Sequence, residues 1–249
     1  MRNIKLLLEY NGARYSGWQQ QENADTIEGR LLDAADQLLG KRHSLRVAGR
    51  TDAGVHAIGQ VASFHTESRV AIARFAPGLN NFLPDDISVH EAIEVPTSFD
   101  ARDDSKSKRY GYRAYSGPQP AALELERAWQ MRDPLDIEAM RRAALRLIGH
   151  LDFEAFRSAH CDAAHARRHM YSIDITRYPR PPRGEHLKIL FHANAYCRYM
   201  CRIIAGTLIE VGRGKRSIDS VQETLESRDR TRAGMTAPPN GLTLLEVLY

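Results

Sequence analysis

Residues 49–56 carry a carboxylate and a cation at a spacing that could do chemistry. Asp52 lies two positions after Arg50, in a segment that begins at Gly49 and has Gly54 just beyond the carboxylate. Because a nearby positive charge favours the ionised form of a carboxyl group, Arg50 would keep Asp52 charged. An ionised, oriented carboxylate can act as a nucleophile or a general base. An ordinary surface turn, in which Asp52 caps a backbone amide and Arg50 is solvated, would have the same spacing.

The segments around this octet predict strands that meet at a turn. Residues 45–48 and 58–64 are mainly apolar and flank the octet. Because glycine allows backbone angles that other residues avoid, Gly49 and Gly54 favour a turn over continuation of either strand. The other predicted elements of this half are a strand over 4–10, a helix over 26–39 capped by Asp25 or Thr26 and ended by Gly40, a helix over 71–81 and a strand over 87–95. The first half therefore has the order β-α-β-β-α-β.

The second half also alternates strands and helices, without a detectable sequence repeat. Asp133-Pro134 predicts the start of a helix that runs to Gly149, since proline is tolerated at the first helical position. A helix over 195–211 would place Cys197 and Cys201 on one side. The remaining predicted elements are strands over 109–115, 173–178, 187–195 and 242–249 and a helix over 219–227. Open antiparallel sheets with helices on one face fit this order, so the sequence predicts an α+β fold.

Charged residues are unevenly distributed along the chain. Residues 1–104 carry 11 Lys and Arg against 15 Asp and Glu, whereas residues 105–249 carry 24 against 16. A basic half joined to an acidic half favours a polyanionic partner that docks mainly on one side, and nucleic acid fits that description. The same cations could instead coat solvated helix faces, which is our interpretation of Arg141, Arg142 and Arg146.

Several functional classes lack their sequence signatures. Cys161, Cys197 and Cys201 form neither a disulfide framework nor a zinc motif, so we expect no metal site. The chain has no Walker loop or Gly-rich dinucleotide turn, so we expect no nucleotide cofactor. The apolar run 203–209 is too short to span a bilayer, and the short apolar stretch that ends at Glu9 is not typical of a secretory signal. These features predict a cytoplasmic protein without a membrane partner.

The octet and its extension through Gln60 and Val61 are similar to the signature of the TruA family of tRNA pseudouridine synthases. Shorter motifs of that family occur in the family's order, and together they cover essentially the whole chain. These motifs are Glu9-Tyr10-Asn11-Gly12, Tyr15-Ser16-Gly17-Trp18-Gln19, Leu79-Asn80, Leu83-Pro84, Phe99-Asp100-Ala101-Arg102, Lys108-Arg109-Tyr110-Gly111-Tyr112, Ala193-Asn194-Ala195-Tyr196, Met200-Cys201-Arg202 and Gly241-Leu242.

The resemblance implies a fold and an activity. It implies two RNA-recognition-like β-α-β-β-α-β halves, residues 1–104 and 105–249, with merged antiparallel sheets, helices on the outer face and a central RNA-binding cleft. The implied reaction isomerises uridine to pseudouridine in the anticodon stem-loop of tRNA, at positions 38, 39 and 40 in tRNA numbering. The family works without a metal or cofactor, and the resemblance also implies a homodimer.

The resemblance also implies roles for individual residues. Asp52 would be the essential catalytic carboxylate, which attacks the sugar or takes a proton from it. Tyr110 would be the active-site tyrosine, which packs on the uracil ring and could handle a proton. Arg202 would be the active-site arginine and would pair with Asp52. Arg50 would help to hold the extruded nucleotide, and Leu242 would line the base pocket. Taken alone, Tyr110 could be an aromatic residue of the core, although Tyr112 fits that interpretation better. Leu242 could equally be a core residue, and an arginine on a helix is more often solvated.

Five further cations are candidate phosphate contacts. They are Arg14, Lys106, Lys108, Arg109 and Arg198. The chain departs from the family pattern at His165-Ala166, where Thr-Pro would be expected, and at Cys197 and Cys201, where larger aliphatic residues are common. These departures affect packing or RNA contacts and leave the catalytic set whole.

Two other functions remain open at the level of sequence. A non-catalytic RNA-binding or tRNA-folding module could use the same scaffold, although loss of Asp52, Tyr110 or Arg202 would have favoured it and all three are present. A hydrolase that combines Asp52 with His56 or His65 would need a nucleophile or a set of metal ligands, and the sequence does not supply one.

Overall fold

A computed structural model describes residues 1–40 and 43–249. The chain forms two compact units, one of Met1–Lys106 with Leu244–Tyr249 and the other of Ser107–Thr243. Each unit combines a β-sheet with helices, so the predicted α+β class is confirmed. The domain boundary between residues 104 and 105, the merging of the two sheets and the central cleft stay predictions.

The first unit is built around its first strand, β1. This strand pairs antiparallel with β3 on one side and β4 on the other, and the two-residue strand β2 pairs with β3. Alternate residues of β1, from Ile4 through Leu6 and Leu8 to Tyr10, are buried. The elements are β1 (Arg2–Tyr10), α1 (Ile27–Leu39), β2 (Arg46–Val47), β3 (His56–Thr66), α2 (Phe75–Asn80) and β4 (Ile87–Val95). The first half therefore has the predicted order of strands and helices.

Helix α1 begins and ends where its local signals predict. The Thr26 side chain accepts a hydrogen bond from the amide of Gly29 at 3.2 Å, which satisfies one of the free donors of the first turn. Gly40 ends the helix in the left-handed conformation, with φ 74°. The helix predicted over 71–81 is divided, since residues 72–74 form a 3₁₀ turn before α2. Pro77 lies in the first turn of α2, where its missing donor is tolerated.

The second unit has a sheet with the strand order β5-β9-β8-β7, all antiparallel neighbours, and the short strand β6 runs parallel to β5. Helix α3 packs against α4 and β8, and α4 also packs against β5. The elements are β5 (Ser107–Ser116), β6 (Trp129–Met131), α3 (Ile137–Ala144), β7 (Gly149–Asp152), β8 (Arg167–Pro179), β9 (Glu185–Ala193), α4 (Met200–Gly212) and α5 (Asp219–Ser227).

The last strand, β10 (Leu242–Leu248), returns to the first unit. From Leu244 onward its residues belong to that unit, where β10 is a neighbour of β3. A Cβ atom added to Gly59 of β3 would overlap the carbonyl oxygen of Leu245, so this glycine allows the two strands to lie close together.

Two helix starts in the second unit were predicted wrongly. Helix α3 begins after Asp136, whose side chain accepts a hydrogen bond from the Ala139 amide at 2.9 Å, and Pro134 lies before the helix. Helix α4 begins at Met200 because Tyr199 has a left-handed backbone with φ 65°, which cannot continue a helix. Cys197 therefore lies in the preceding loop and does not share a helix face with Cys201.

Helix α4 is buried along most of its length, including Ile203, Ile204 and Leu208. Within residues 1–40 and 43–249, no helix is long and apolar enough to cross a membrane.

Candidate active site

The turn that carries Asp52 is held by the segment that follows β1. The amide of Trp18 donates to the Thr51 carbonyl oxygen at 3.0 Å, directly before Asp52. On the other side, the amide of Gly54 donates to the Tyr15 carbonyl oxygen at 3.2 Å. The backbone on both sides of the half-buried Asp52 carboxylate is therefore hydrogen-bonded to the segment that contains Tyr15 and Trp18. This arrangement fixes the turn more firmly than an ordinary surface turn requires.

Two glycines allow this close approach of the segment and the turn. Gly17 has φ 94°, and a Cβ atom placed there would lie 2.8 Å from the Thr51 carbonyl oxygen. A Cβ atom at Gly12 would overlap the carbonyl oxygen of Val55. Larger residues at either position would push the segment away from the turn, because these neighbours are backbone atoms that cannot rotate aside.

A buried chain of polar side chains lies beneath the turn. The hydroxyl groups of Tyr10 and Thr51 are 2.8 Å apart, and the Gln60 side-chain amide donates to the Tyr10 hydroxyl at 3.2 Å and to the Gly49 carbonyl oxygen at 2.8 Å. Burial raises the pKa of Tyr10 to about 12, despite the lowering effect of its hydrogen bonds to Thr51 and Gln60. The phenol is therefore neutral, and it can donate to Thr51 while it accepts from Gln60.

The two histidines of the hydrolase hypothesis make hydrogen bonds to the backbone. His56 is buried, and its Nδ1 accepts a hydrogen bond from the Gly12 amide at 3.1 Å. The Nε2 of His65 lies 2.9 Å from the Thr97 carbonyl oxygen. These bonds tie each ring to its own part of the first unit and give both histidines structural roles.

In the second unit, Arg202 is held by the loop that precedes β10. Its Nε donates to the Ala237 carbonyl oxygen at 2.8 Å, and the Ala237 amide donates to the Arg202 carbonyl oxygen at 3.1 Å. The guanidinium carbon lies 4.7 Å from the centroid of the Tyr199 ring, within the range of a cation–π contact. The side chain is therefore positioned rather than freely solvated.

Helix α4 provides a close-fitting surface for this loop. The Thr207 hydroxyl accepts a hydrogen bond from the Gly234 amide at 2.9 Å. A Cβ atom on Gly206 would overlap the carbonyl oxygen of Met235, so the absence of a side chain lets the loop lie directly on the helix. These contacts fix the backbone that contacts Arg202.

Glu210, on the same helix, makes a further contact with this loop through its carboxylate. Glu210 accepts hydrogen bonds from the Met235 amide at 3.0 Å and from Nε of Arg216 at 2.6 Å. Burial would raise the pKa of Glu210, but the Met235 amide and the Arg216 guanidinium outweigh it, so the pKa is lowered. Glu210 is therefore ionised at neutral pH.

Tyr110 and Tyr112 lie on one face of β5 but make different contacts. The fully buried Tyr112 donates its hydroxyl hydrogen to the Pro238 carbonyl oxygen at 2.9 Å. Burial raises its pKa well above the ordinary value, and the charge of Arg202 opposes part of that rise. Tyr110 is also buried, and its ring meets that of Tyr196 edge-on with centroids 5.0 Å apart. The loop that holds Arg202 thus also contacts the strand that carries Tyr110.

Comparison with known proteins identifies the family. A family model described as tRNA pseudouridine synthase matches residues 7–102 and 143–249. The chain belongs to the tRNA pseudouridine synthase family. It is therefore an isomerase that acts on tRNA. Asp52, Arg50, Arg202 and Leu242 lie within the matched ranges, whereas Tyr110 lies between them.

Relatives named tRNA pseudouridine synthase A match along the full chain. The protein of Geotalea uraniireducens is 44% identical over 249 residues, and the match covers 100% of both chains. That of Myxococcus xanthus is 45% identical, with 100% of this chain and 92% of the relative covered. That of Acetivibrio thermocellus is 43% identical, with 100% of both covered. The TruA resemblance and the predicted enzyme class are confirmed.

A solved structure gives only a weak match to this tRNA pseudouridine synthase. The crystal structure of a Cbf5-Nop10-Gar1 complex aligns with 96% of this chain and 57% of its own, with a TM-score of 0.33 and 12% identity. With a TM-score this low, we draw no conclusion about fold or function from this match.

The cations predicted to bind tRNA in this synthase differ in their surroundings. Arg50, Lys106 and Arg109 are exposed. Lys108 is buried, so it is the least exposed of the predicted phosphate contacts. Leu242 is also buried.

Arg14 and Arg198, which are predicted phosphate contacts, have protein partners in the structure. Arg14 forms a salt bridge with Asp86 at 2.7 Å, although most of its side chain is exposed. Arg198 donates to the His160 carbonyl oxygen at 3.3 Å, and its guanidinium carbon lies 5.2 Å from the Tyr199 ring centroid. A phosphate would have to share each of these guanidinium groups with its present partner.

Sequence reasoning missed the loop 233–238 and the two tyrosines before α4 as parts of this site. The turn residues Pro238, Pro239 and Gly241 could have indicated a fixed loop. Tyr196 lies in a family motif, but its bond from the hydroxyl to the Lys108 carbonyl oxygen, at 3.1 Å, has no local signal. The residues around Tyr199 likewise gave no indication of its left-handed backbone or of its contact with Arg202.

No group of three or more His, Cys, Asp or Glu side chains suited to holding a metal ion occurs in the described part of the chain. Cys161, Cys197 and Cys201 are free thiols, and burial raises the pKa of Cys197 to about 11.

Proposed function

We propose that this synthase isomerises uridine to pseudouridine at positions 38, 39 and 40 of the tRNA anticodon stem-loop, with Asp52 as the catalytic carboxylate. In this reaction the N1–C1′ bond of uridine breaks, the base rotates and a C5–C1′ bond forms. The proton that C5 loses is balanced by the proton that N1 gains. No group enters or leaves, so the chemistry requires neither a redox cofactor nor a nucleotide.

The observation that supports this proposal most directly is the fixed position of the Asp52 turn. Its backbone is bonded on both sides to the segment containing Tyr15 and Trp18, while Arg50 stays exposed beside it. A carboxylate that attacks the sugar and one that takes a proton from it both need this preorganisation, because a displaced oxygen loses most of its effect.

Extrusion of the target nucleotide assigns a role to Arg50. A uridine stacked in a helix cannot present its glycosidic bond to a side chain, so the base has to leave the stack. We propose that Arg50 helps to hold the extruded nucleotide, that Tyr110 packs on the uracil ring and that Leu242 lines the base pocket. Arg202 would stabilise the charge of Asp52, as the family resemblance implies.

The remaining parts of the proposal concern the setting of the reaction. We propose that Arg14, Lys106, Lys108, Arg109 and Arg198 contact tRNA phosphates, with Lys108 exposed only if β5 rearranges on binding. We also propose that the enzyme is a cytoplasmic homodimer. The family resemblance supports the homodimer.

The test of site choice is a map of pseudouridine in tRNA transcripts treated with the purified protein. Transcripts with cytidine in place of the uridine at position 38, 39 or 40 would each lose only the corresponding modification. A transcript with cytidine at a uridine outside the anticodon arm is the matched control. Modification outside the arm would reject the site assignment, and binding without any modification would favour the non-catalytic alternative.

A further inference from the structure

Four aromatic side chains form a row across three strands of the second unit, here called the ring row. His150 of β7 and His169 of β8 have ring centroids 3.7 Å apart and planes inclined by 32°. The His169 ring lies 4.4 Å from that of Tyr171, which lies 4.8 Å from that of His192 on β9. The row therefore crosses β7, β8 and β9 as a continuous series of ring contacts.

The strand register places these rings together. His150 is directly opposite His169 in the β7–β8 pairing. The β8–β9 pairing is irregular between Met170 and Ser172, and Tyr171 occupies the irregularity. His169 and Tyr171 are two residues apart, so they share a face of β8 as alternate residues of a strand do. Met170, by contrast, is completely buried.

The ring row lies on the open face of the sheet. Tyr171 is 41% exposed, His150 is exposed, and His169 and His192 are partly exposed. Phe191 and other neighbours that point to the opposite face are buried in the core. Core packing therefore does not account for the position of the rings.

Cations border the row. Arg109 of β5 is directly opposite His192 and is exposed, and Arg167 is exposed at the start of β8. Asp152 lies opposite Arg167 in the β7–β8 register, but it also pairs with Arg228 at 3.2 Å. The face thus combines ring surfaces with an excess of positive charge.

We propose that the ring row binds the tRNA substrate, with bases stacked on Tyr171 and the histidines and with phosphates contacted by Arg109 and Arg167. Exposed aromatic rings accept any base because every base has a π-face, and adjacent cations follow the backbone. This inference extends the proposed function by assigning a second tRNA contact surface. It needs tRNA as the ligand but does not depend on which uridine is modified.

The charge of the surface decides between RNA and a second copy of the chain. In an interface between two copies related by a two-fold axis, both copies would contribute this same face with its excess of positive charge. A polyanion instead neutralises that charge.

The test compares tRNA affinity and turnover in variants of β8. Tyr171→Ala and His169→Ala should each weaken tRNA binding roughly 5- to 100-fold, because each removes a stacking surface. Tyr171→Phe should bind like the wild type, since it keeps the ring. Tyr178→Ala is the matched control, because Tyr178 lies on the same strand with 39% exposure. In Tyr171→Ala and His169→Ala, kcat/KM should fall together with the affinity, whereas Tyr178→Ala should leave both affinity and turnover unchanged.

Arg167→Gln provides an independent measurement. In a plot of the logarithm of tRNA affinity against the logarithm of salt concentration, this variant should give a slope that is less steep by about one. That change corresponds to the loss of one phosphate contact. Equal affinity of Tyr171→Ala, Tyr178→Ala and the wild type would overturn the inference. So would a Tyr171→Ala variant that dissociates into monomers in light scattering but binds tRNA normally. If the assignment of tRNA positions 38, 39 and 40 is wrong, the pseudouridine map will show other modified positions. The binding results for the ring row would not change.

Discussion

The hydroxyl groups of Tyr10 and Thr51 lie 2.8 Å apart beneath the turn that carries Asp52. This hydrogen bond connects the last residue of β1 with the residue that directly precedes the proposed catalytic carboxylate. It is buried, so water cannot replace either partner, and Gln60 donates to the same phenol. The β1 strand therefore helps to position the turn through a contact that contains no catalytic group.

Tyr10→Phe should destabilise the protein and slow isomerisation. The variant keeps the ring against Trp18 but leaves the Thr51 hydroxyl without this partner, at a cost of about 1–3 kcal/mol. Urea unfolding and single-turnover rates measure the two effects. Thr51→Val removes the other partner, so the double variant should be less destabilised than the sum of the single variants. Strict additivity would show that the two hydroxyl groups are not coupled.

Asp52→Asn should abolish isomerisation and change tRNA affinity little. The amide can neither act as a nucleophile nor take a proton, whereas the predicted phosphate contacts remain. Single-turnover assays and filter binding provide the two measurements. Asp85→Asn, at an exposed position after α2, is the matched control and should behave like the wild type. Appreciable turnover by Asp52→Asn would reject its catalytic role.

Arg202→Met should reduce turnover strongly at neutral pH. The substitution removes the charge proposed to stabilise Asp52, so the pKa of that carboxyl group should rise and activity should partly recover as pH increases. Arg202→Lys should restore activity only in part, because an ammonium group cannot donate to Ala237 from Nε and also make a planar bidentate contact. The measurement is a pH–rate profile of the three proteins. Near-normal rates for Arg202→Met at every pH would show that the positive charge of Arg202 does not contribute to catalysis.

Glu210→Gln should change how stability depends on pH. The folded-state pKa of Glu210 is lowered from its ordinary value of 4.5, so the ionised form stabilises the fold above that value. This contribution is lost as pH falls through the folded-state pKa. The wild type should therefore be the more stable protein at pH 7, and the difference should shrink in acid.

Urea midpoints at neutral and acidic pH measure this effect. Glu226→Gln is the control, because Glu226 is exposed on α5 and accepts a hydrogen bond only four residues away, from Gln222. Turnover of Glu210→Gln should also fall, since Glu210 holds the loop that contacts Arg202. A difference between the wild type and Glu210→Gln that is the same at both pH values would contradict the assignment.

The sequence by itself determined those parts of the fold that depend on neighbouring residues. Thr26 and Gly40 mark the ends of α1, because a cap and a left-handed glycine act within one turn of the helix. The glycines of the octet correctly predicted a break between β2 and β3. Family motifs predicted Asp52 and Arg202 as site residues, because both motifs are contiguous in the chain.

Only the tertiary structure decided what holds those residues in place. The contacts of Tyr10 with Thr51 and of Arg202 with Ala237 join positions 41 and 35 residues apart, and no local spacing encodes them. The left-handed backbone of Tyr199 and the bulge at Tyr171 likewise depend on neighbours from other elements. A side chain's partners across a sheet follow from strand register, which buried apolar contacts set throughout the unit. For that reason the ring row could not be read from the sequence.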